Sequence, residues 1–193
     1  MKHYFLLFLS LVLWSCQTAP ERASSLAYEP SQSYPFGRPN PAAPEQLAQF
    51  HFMIGRNDCV EERLNNGTGE WDEGRRTWDA QYFMNGYAIE DSGRSGATTN
   101  GNIRIYDANA DQWNVTFYSM PSFSTGVWSG GMEAGNMVLR QPQKAPGTDF
   151  DGHSTLTFSK ISENSFDWSG EWISVDGSAV FPFWRISCTK LPT

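Results

Sequence analysis

The sequence predicts an all-β domain that closes into an up-and-down antiparallel barrel of about ten strands. Two observations support this prediction. Turn-forming residues recur every eight to twelve positions after residue 44, and β-branched and aromatic residues alternate with polar ones between them. Helical periodicity does not extend over ten or more residues, and only a short turn is expected, at 44–50.

Ten strands are predicted, in chain order, at 52–64, 75–83, 87–92, 102–106, 113–120, 126–131, 136–141, 154–161, 166–174 and 180–190. Between them lie dipeptides that adopt positive φ angles at little cost, namely Asn66-Gly67, Asn85-Gly86, Asn100-Gly101, Gly135-Asn136 and Asp176-Gly177. Hairpins between sequence neighbours favour a meander, and closing the meander removes the exposed edges that a sheet must otherwise protect. A β-sandwich is the alternative.

The N-terminus has the features of a secretion signal. A basic start precedes an apolar run over 4–14 that is too short to span a bilayer as a stable helix. The segment Leu13-Trp14-Ser15-Cys16 resembles the lipobox of bacterial lipoproteins, although Trp14 stands where a small residue is more usual. The resemblance implies a signal peptide over 1–15 and a lipid on Cys16. Because Gln17 follows the cysteine, it also implies a place in the outer membrane of the cell envelope. An ordinary signal peptide that contains a cysteine, or an uncleaved anchor, is the alternative.

The next segment, 16–44, carries few large apolar side chains and several prolines. Such a composition cannot bury enough apolar surface to offset its ordering entropy, so a disordered tether is predicted. A strand that docks on the domain is the alternative. Residues 45–193 then form one domain of ordinary size.

The charge of the chain limits its partners. Without the signal peptide, 13 Lys and Arg residues stand against 21 Asp and Glu residues, a net charge of −8. Nucleic acid and anionic lipid surfaces both require clustered basic residues, so neither is expected to bind this domain by charge. The expected contact with a membrane is therefore the lipid itself.

Four segments of the domain resemble uncharacterised bacterial lipocalin-like domains of the calycin type. They are 50–56, 106–109, 126–128 and 184–190. Domains of this type typically begin with an apolar-Gly-x-Trp step and end with Trp-x-Ile-x-Tyr-Thr-Arg. Here Asn57 stands in place of the first Trp and Cys188 in place of the Tyr. The resemblance implies a lipocalin-like barrel and no particular activity.

A barrel of eight to ten strands encloses either packed side chains or one small ligand. The 8 Trp, 13 Phe and 7 Tyr residues exceed what a small core needs, and many lie beside charged residues on predicted strands. This pattern is typical of a pocket for a hydrophobic or amphipathic ligand. The candidates for binding it are Arg104, Tyr118, Trp128, Arg140, Trp168, Glu171, Trp172, Trp184 and Arg185. For each charged candidate, a place on the solvent face of its strand is the alternative.

Cys59 and Cys188 lie on the predicted first and last strands, which become neighbours when the barrel closes. With Cys16 acylated, an even number of cysteines remains in an exported domain. Because disulfides persist outside the cytoplasm, the sequence predicts a Cys59–Cys188 disulfide. Two unpaired core residues are the alternative.

Catalytic and metal-binding signals are weak. The sequence has no Gly-x-Ser-x-Gly elbow, His-Glu-x-x-His motif, phosphate loop or Cys-x-x-Cys pair. His153 is a formal candidate for a haem ligand, but a lone histidine at a strand end is usually a surface residue. The segment 107–111 resembles the start of a calcium loop but lacks its glycine and closing glutamate. No catalytic residue, metal ligand or cofactor is predicted.

A tethered binding module for a small molecule is the favoured function. Two alternatives stay open. The first is a calycin-like enzyme in which a buried Glu171 acts as an acid or base beside an arginine. The second is a packed barrel without a ligand that serves envelope structure or protein contact.

Overall fold

The structure is a computed structural model that describes residues 26–192, so the predicted signal peptide and Cys16 lie outside the described residues. It contains one 3₁₀ helix, Glu45–Met53, followed by ten strands. The strands are β1 (Gly55–Leu64), β2 (Trp71–Phe83), β3 (Ala88–Ser95), β4 (Thr98–Asp107), β5 (Gln112–Met120), β6 (Ser124–Glu133), β7 (Asn136–Pro142), β8 (Gly152–Ser159), β9 (Ser165–Ser174) and β10 (Val180–Lys190).

The strands form one closed barrel. Each pairs antiparallel with its neighbours in sequence, and β1 also pairs with β10, so no edge is left exposed. The prediction of a closed up-and-down barrel of about ten strands is confirmed, and its architecture is lipocalin-like. Because the strands alternate in direction, the β1–β2, β3–β4, β5–β6, β7–β8 and β9–β10 connections all lie at one end of the barrel.

Several details differ from the sequence-based expectation, and two of them concern the ends of the barrel. β1 begins at Gly55 rather than at residue 52, because Phe52 and Met53 belong to the preceding helix. Asn100-Gly101, predicted as a hairpin turn, lies inside β4. The turn before it forms at Gly96, whose φ of +56° suits a tight connection.

The 3₁₀ helix covers one end of the barrel. Its Phe50 is fully buried and packs edge-on against Trp113, with ring centroids 4.8 Å apart. The buried Asn57 on β1 joins the helix to the barrel, because its Nδ2 donates to the carbonyl of Met53 at 2.9 Å and to that of Trp78 at 2.8 Å. The closed end is therefore held by both packing and hydrogen bonds. No helix among residues 26–192 is long and apolar enough to cross a membrane.

Residues 26–44, the described part of the segment predicted as a disordered tether, lie against the barrel at the same closed end. The amide of Asn40 donates to the carbonyl of Gly86 at 3.0 Å, and the amide of Tyr82 donates to the carbonyl of Phe36 at 2.9 Å. These contacts attach the segment to the β2–β3 hairpin. The amino-acid composition does not predict these contacts, because they are made by backbone groups that nearly every residue carries.

A disulfide bond joins Cys59 on β1 to Cys188 on β10, and the two residues are direct partners in the register of these strands. They are separated by 129 positions in the chain. The bond therefore connects the first and last strands where the barrel closes.

Candidate functional site

The barrel encloses a cavity of about 440 Å³. This volume lies within the range of small-molecule sites, roughly 300–1,000 Å³. Its lining comes from β2 and from β4 to β10, and the lining positions alternate along β2, β4, β5 and β8. The interior is therefore hollow between the 3₁₀ helix, which covers the closed end, and the opposite end of the barrel.

The cavity opens at the end of the barrel opposite the helix. Thr125, Gln143 and Phe183 lie beside the β5–β6, β7–β8 and β9–β10 connections and line the cavity there. We call this end the mouth. A small molecule can therefore reach the interior from one end only, because Phe50 and its neighbours cover the other.

One side of the cavity is polar. Arg76 on β2 and Asn100, Asn102 and Arg104 on β4 line it, and we call these four residues the polar wall. All four are buried, and the Nη2 of Arg76 donates to the Oδ1 of Asn100 at 2.8 Å. The three β4 residues are two positions apart and so project to the same face of the strand.

Asp91 on β3 supports the polar wall from behind. Its Oδ1 accepts hydrogen bonds from the Nε1 of Trp78 at 2.8 Å and the Nδ2 of Asn102 at 2.7 Å. Its Oδ2 forms an ion pair with the Nη2 of Arg104 at 2.6 Å, and both side chains are almost fully buried. Asp91 does not line the cavity, so the guanidinium of Arg104, not the carboxylate, contributes charge to its surface.

Glu61 on β1 has the same role for Arg76. Its Oε2 lies 3.5 Å from the Nη1 of Arg76 and accepts from the Nε1 of Trp184 at 3.0 Å and the Nη2 of Arg63 at 3.3 Å. The hydroxyl of Ser95 donates to its Oε1. Burial lowers the pKa of Arg76, and the charge of Glu61 opposes this effect.

The facing side of the cavity is mainly aromatic. Trp128, Leu156, Phe158, Trp168 and Trp184 line it, and we call them the apolar wall. Trp168 and Trp184 pack edge to face with ring centroids 5.1 Å apart. The two walls meet where the guanidinium of Arg104 lies over the ring of Phe158, 5.5 Å from its centroid. The cavity is thus divided into a polar half and an apolar half.

Three nitrogen atoms in the lining residues are buried and have no hydrogen-bond partner among the described residues. They are the Nε atoms of Arg76 and Arg104 and the Nε1 of Trp128. All three carry a hydrogen and can only donate. A buried donor without an acceptor costs about 1–3 kcal/mol. The residues that line the cavity therefore include three buried donors that no described acceptor satisfies.

Four of the nine ligand-binding candidates named from the sequence line this cavity, namely Arg104, Trp128, Trp168 and Trp184. Trp172 is also buried, but it lies outside the lining, and its Nε1 donates to the carbonyl of Gln143 at 2.8 Å. Trp172 therefore holds the β7–β8 connection.

The other four candidates do not line the cavity. Each of them is next in sequence to a residue that lines the cavity or is buried. Because side chains alternate between the two faces of a strand, these four lie on the outer face. Arg140 donates to Glu133 at 2.9 Å, and Arg185 to Glu62 at 3.4 Å. Glu171 lies between the buried Gly170 and Trp172. The interior carboxylates are therefore Glu61 and Asp91, and not Glu171.

Tyr118 is the remaining outward candidate. It pairs with Gly101 across β4 and β5, and a Cβ at Gly101 would approach the Tyr118 Oη to 2.5 Å. The ring therefore covers the glycine from outside. Burial raises the pKa of Tyr118, and the charges of Asp91 and Glu90 add to this effect.

Sequence analysis did not identify Arg76, Asn100, Asn102, Glu61 or Asp91 as site residues. The signal for the β4 residues was present as a polar stripe at 100, 102 and 104, alternating with the more apolar side chains of Ile103 and Ile105. This stripe inverts the usual pattern of a strand, in which the polar face is exposed. From the sequence alone, the residues of this stripe are therefore expected on the solvent face.

The two histidines of the domain are not part of the cavity lining. A ring nitrogen of His51 lies 2.9 Å from the hydroxyl of Tyr82. Burial raises the pKa of that hydroxyl to about 12. Within residues 26–192, no group of three or more His, Cys, Asp or Glu side chains is arranged to hold a metal ion.

Comparisons with known proteins show no family for this chain. No family model matches the chain, and no curated protein matches it. Among solved structures, the S-type phycobiliprotein lyase of Guillardia theta is similar, with 11% sequence identity and a TM-score of 0.47 over 77% of this chain and 94% of that chain. A likeness this distant says nothing about a ligand or an activity.

Proposed function

We propose that this protein is a lipid-anchored binding protein of the cell envelope that holds a small amphipathic molecule inside its barrel. The observation that carries the proposal is the division of one open cavity into a polar wall and an apolar wall. A ligand with an apolar body and a polar group matches both halves at once. A wholly apolar ligand would leave the buried donors of the polar wall without partners.

The apolar wall supplies the affinity in this proposal. Removing apolar ligand surface from water contributes about 25 cal/mol per Å² before the entropic costs of binding are subtracted. The polar wall supplies orientation, because its side chains are fixed by Asp91 and Glu61 before a ligand arrives. Such preorganisation reduces the cost of binding.

The anchor in this proposal rests on the lipobox-like segment Leu13-Trp14-Ser15-Cys16. The acidic balance of the chain, with 21 Asp and Glu against 14 Lys and Arg, supports a lipid rather than a basic patch as the membrane contact. Replacing Cys16 by Ala should move the protein from the membrane fraction to the soluble or secreted fraction. An unchanged distribution would refute the anchor and leave the binding proposal standing.

The binding proposal is tested with the purified protein. Native mass spectrometry should detect a co-purifying small molecule, or Trp fluorescence should change on titration with an amphiphile, because Trp128, Trp168 and Trp184 line the cavity. Leu156→Trp places a larger side chain in the cavity and should abolish the response. Ile105→Trp is the matched control, since Ile105 is 44% exposed on the outer face. Binding that survives Leu156→Trp unchanged would mean that the site lies elsewhere.

A further inference from the structure

The arrangement of charges around the cavity selects among amphipathic ligands. Two cationic groups, Arg76 and Arg104, line the cavity, while the carboxylates paired with them, Glu61 and Asp91, do not. The two charges of each pair are therefore placed differently relative to a ligand. A bound molecule meets the guanidinium groups first.

The carboxylates also contact more polar side chains than the guanidinium groups do. Glu61 accepts from four side chains, those of Arg63, Arg76, Ser95 and Trp184. Asp91 has three partners, Trp78, Asn102 and Arg104. A ligand therefore has little opportunity to donate to them.

The guanidinium groups, in contrast, retain unused donors. An arginine carries five N–H groups, and the Nε atoms of both Arg76 and Arg104 are buried without a partner among the described residues. The Nε1 of Trp128, in the facing apolar wall, is a third unused donor. Donors of this kind are best satisfied by a charged acceptor, since hydrogen bonds to ionised groups are stronger than those between neutral groups.

We propose that the ligand is an anionic amphiphile whose acidic group, a carboxylate or a phosphate ester, binds the guanidinium groups of Arg76 and Arg104. Its apolar part lies along the apolar wall and leads toward the mouth. This inference rests on the proposed binding function and narrows it to one class of ligand. The amide groups of Asn100 and Asn102 complete the polar wall around the acidic group.

Three compounds with the same twelve-carbon chain test the inference at pH 8, the two anions below their critical micelle concentrations and the alcohol below its solubility limit. They are dodecanoate, dodecyl phosphate and 1-dodecanol, and the readout is Trp fluorescence or calorimetry of the purified protein. We expect at least one of the two anions to bind about tenfold to a hundredfold more tightly than the alcohol. The comparison between the two anions shows which acidic group is preferred.

Arg76→Met is the main variant, because Glu61 keeps Arg63, Ser95 and Trp184 as donors when Arg76 is removed. It should remove most of the preference for the anion and leave alcohol binding nearly unchanged. Arg140→Met is the matched control, since this arginine lies outside the cavity and pairs with Glu133. The comparison of the two anions with the alcohol on the natural protein needs no variant. It provides a test even if an arginine variant does not fold.

The outcomes distinguish the inference from the function on which it rests. Equal affinity for the alcohol and both anions would overturn the inference while supporting the binding function. Anion binding that Arg140→Met weakens as much as Arg76→Met, or that Arg76→Met leaves unchanged, would also overturn it. No binding of any of the three amphiphiles, together with no co-purifying molecule, would overturn both.

Discussion

At the scale of single residues, Asp91 connects three strands of the barrel. Its carboxylate meets Trp78 from β2 and Asn102 and Arg104 from β4, while Asp91 itself lies on β3. A charge this deeply buried is tolerated only because every partner is in place. The same side chain therefore contributes both to stability and to the shape of the polar wall.

Replacing Asp91 by Ala should lower the free energy of unfolding by about 3–5 kcal/mol, because it leaves the charge of Arg104 buried without its partner. Urea denaturation measures this loss. Glu133→Ala is the control, since it removes the partner of Arg140 from a pair that is nearly half exposed. We expect that variant to lose less than about 1 kcal/mol. Equal losses in the two variants would show that Asp91 is not held as described.

Asp176 in the β9–β10 turn has a pKa lowered to about 2, first by the hydrogen bond from Ser174 and then by those from Ser178. A carboxyl group whose pKa is lowered by folding contributes stability that is present above its usual pKa. That stability is lost as the pH falls through the folded pKa, here between about 4 and 2. Titration of the Asp176 carboxyl carbon by NMR should give the low value. Ser174→Ala should raise it toward the ordinary 3.8, and an unchanged pKa would contradict the assignment of the cause.

At the scale of elements, the docked segment 26–44 depends on close approach to the β2–β3 turn. At Gly86, whose φ is +77°, a Cβ would approach the carbonyl oxygen of Arg38 to 2.5 Å and the amide of Asn40 to 2.7 Å. Only glycine leaves room for this contact. The segment and the hairpin therefore fit at one point that a single methyl group can disturb.

Gly86→Ala should release the segment, and hydrogen exchange of residues 26–44 should become faster. Gly69→Ala is the matched control, because Gly69 has the same φ of +77° but no atom within 4 Å of the position of its Cβ. Both variants carry the same backbone strain, so they differ only in the contact. Faster exchange of 26–44 in both variants, or in neither, would argue against this docking.

The fold of the whole molecule was largely accessible from the sequence, whereas half of its site was not. Turn residues at regular spacing and alternating strands predicted the closed barrel, because both patterns arise from local backbone geometry. The polar wall follows the opposite rule, since Asn102 and Arg104 face inward and Ile105 faces out. Its carboxylate partners lie on the neighbouring strand of the same hairpin, Asp91 on β3 beside Arg104 and Glu61 on β1 beside Arg76. Which face of a hairpin points inward depends on the register of its strands, and the alternation of residue types alone does not fix that register.

The disulfide between Cys59 and Cys188 reinforces the closure of the whole barrel. The two residues lie 129 positions apart in the chain. Replacing both cysteines by Ala should lower the free energy of unfolding by about 2–5 kcal/mol, because the unfolded chain regains the conformational entropy that the disulfide removes. Urea denaturation with and without reductant measures this. Reductant should destabilise the natural protein and leave the double variant unchanged. A natural protein insensitive to reductant would contradict the role of the bond.

If Cys16 carries the proposed lipid, the docked segment would also limit the distance between the barrel and the membrane. With a lipid on Cys16, as proposed above, only the residues between Cys16 and Leu26 separate the bilayer from the folded domain. At about 3.5 Å per residue, this spacer reaches no farther than about 35 Å. The spacer joins the barrel at the closed end, so the closed end stays near the anchoring leaflet. The mouth lies at the opposite end of the barrel, where it is free to point away from that leaflet and to exchange a bound molecule with the surrounding aqueous space.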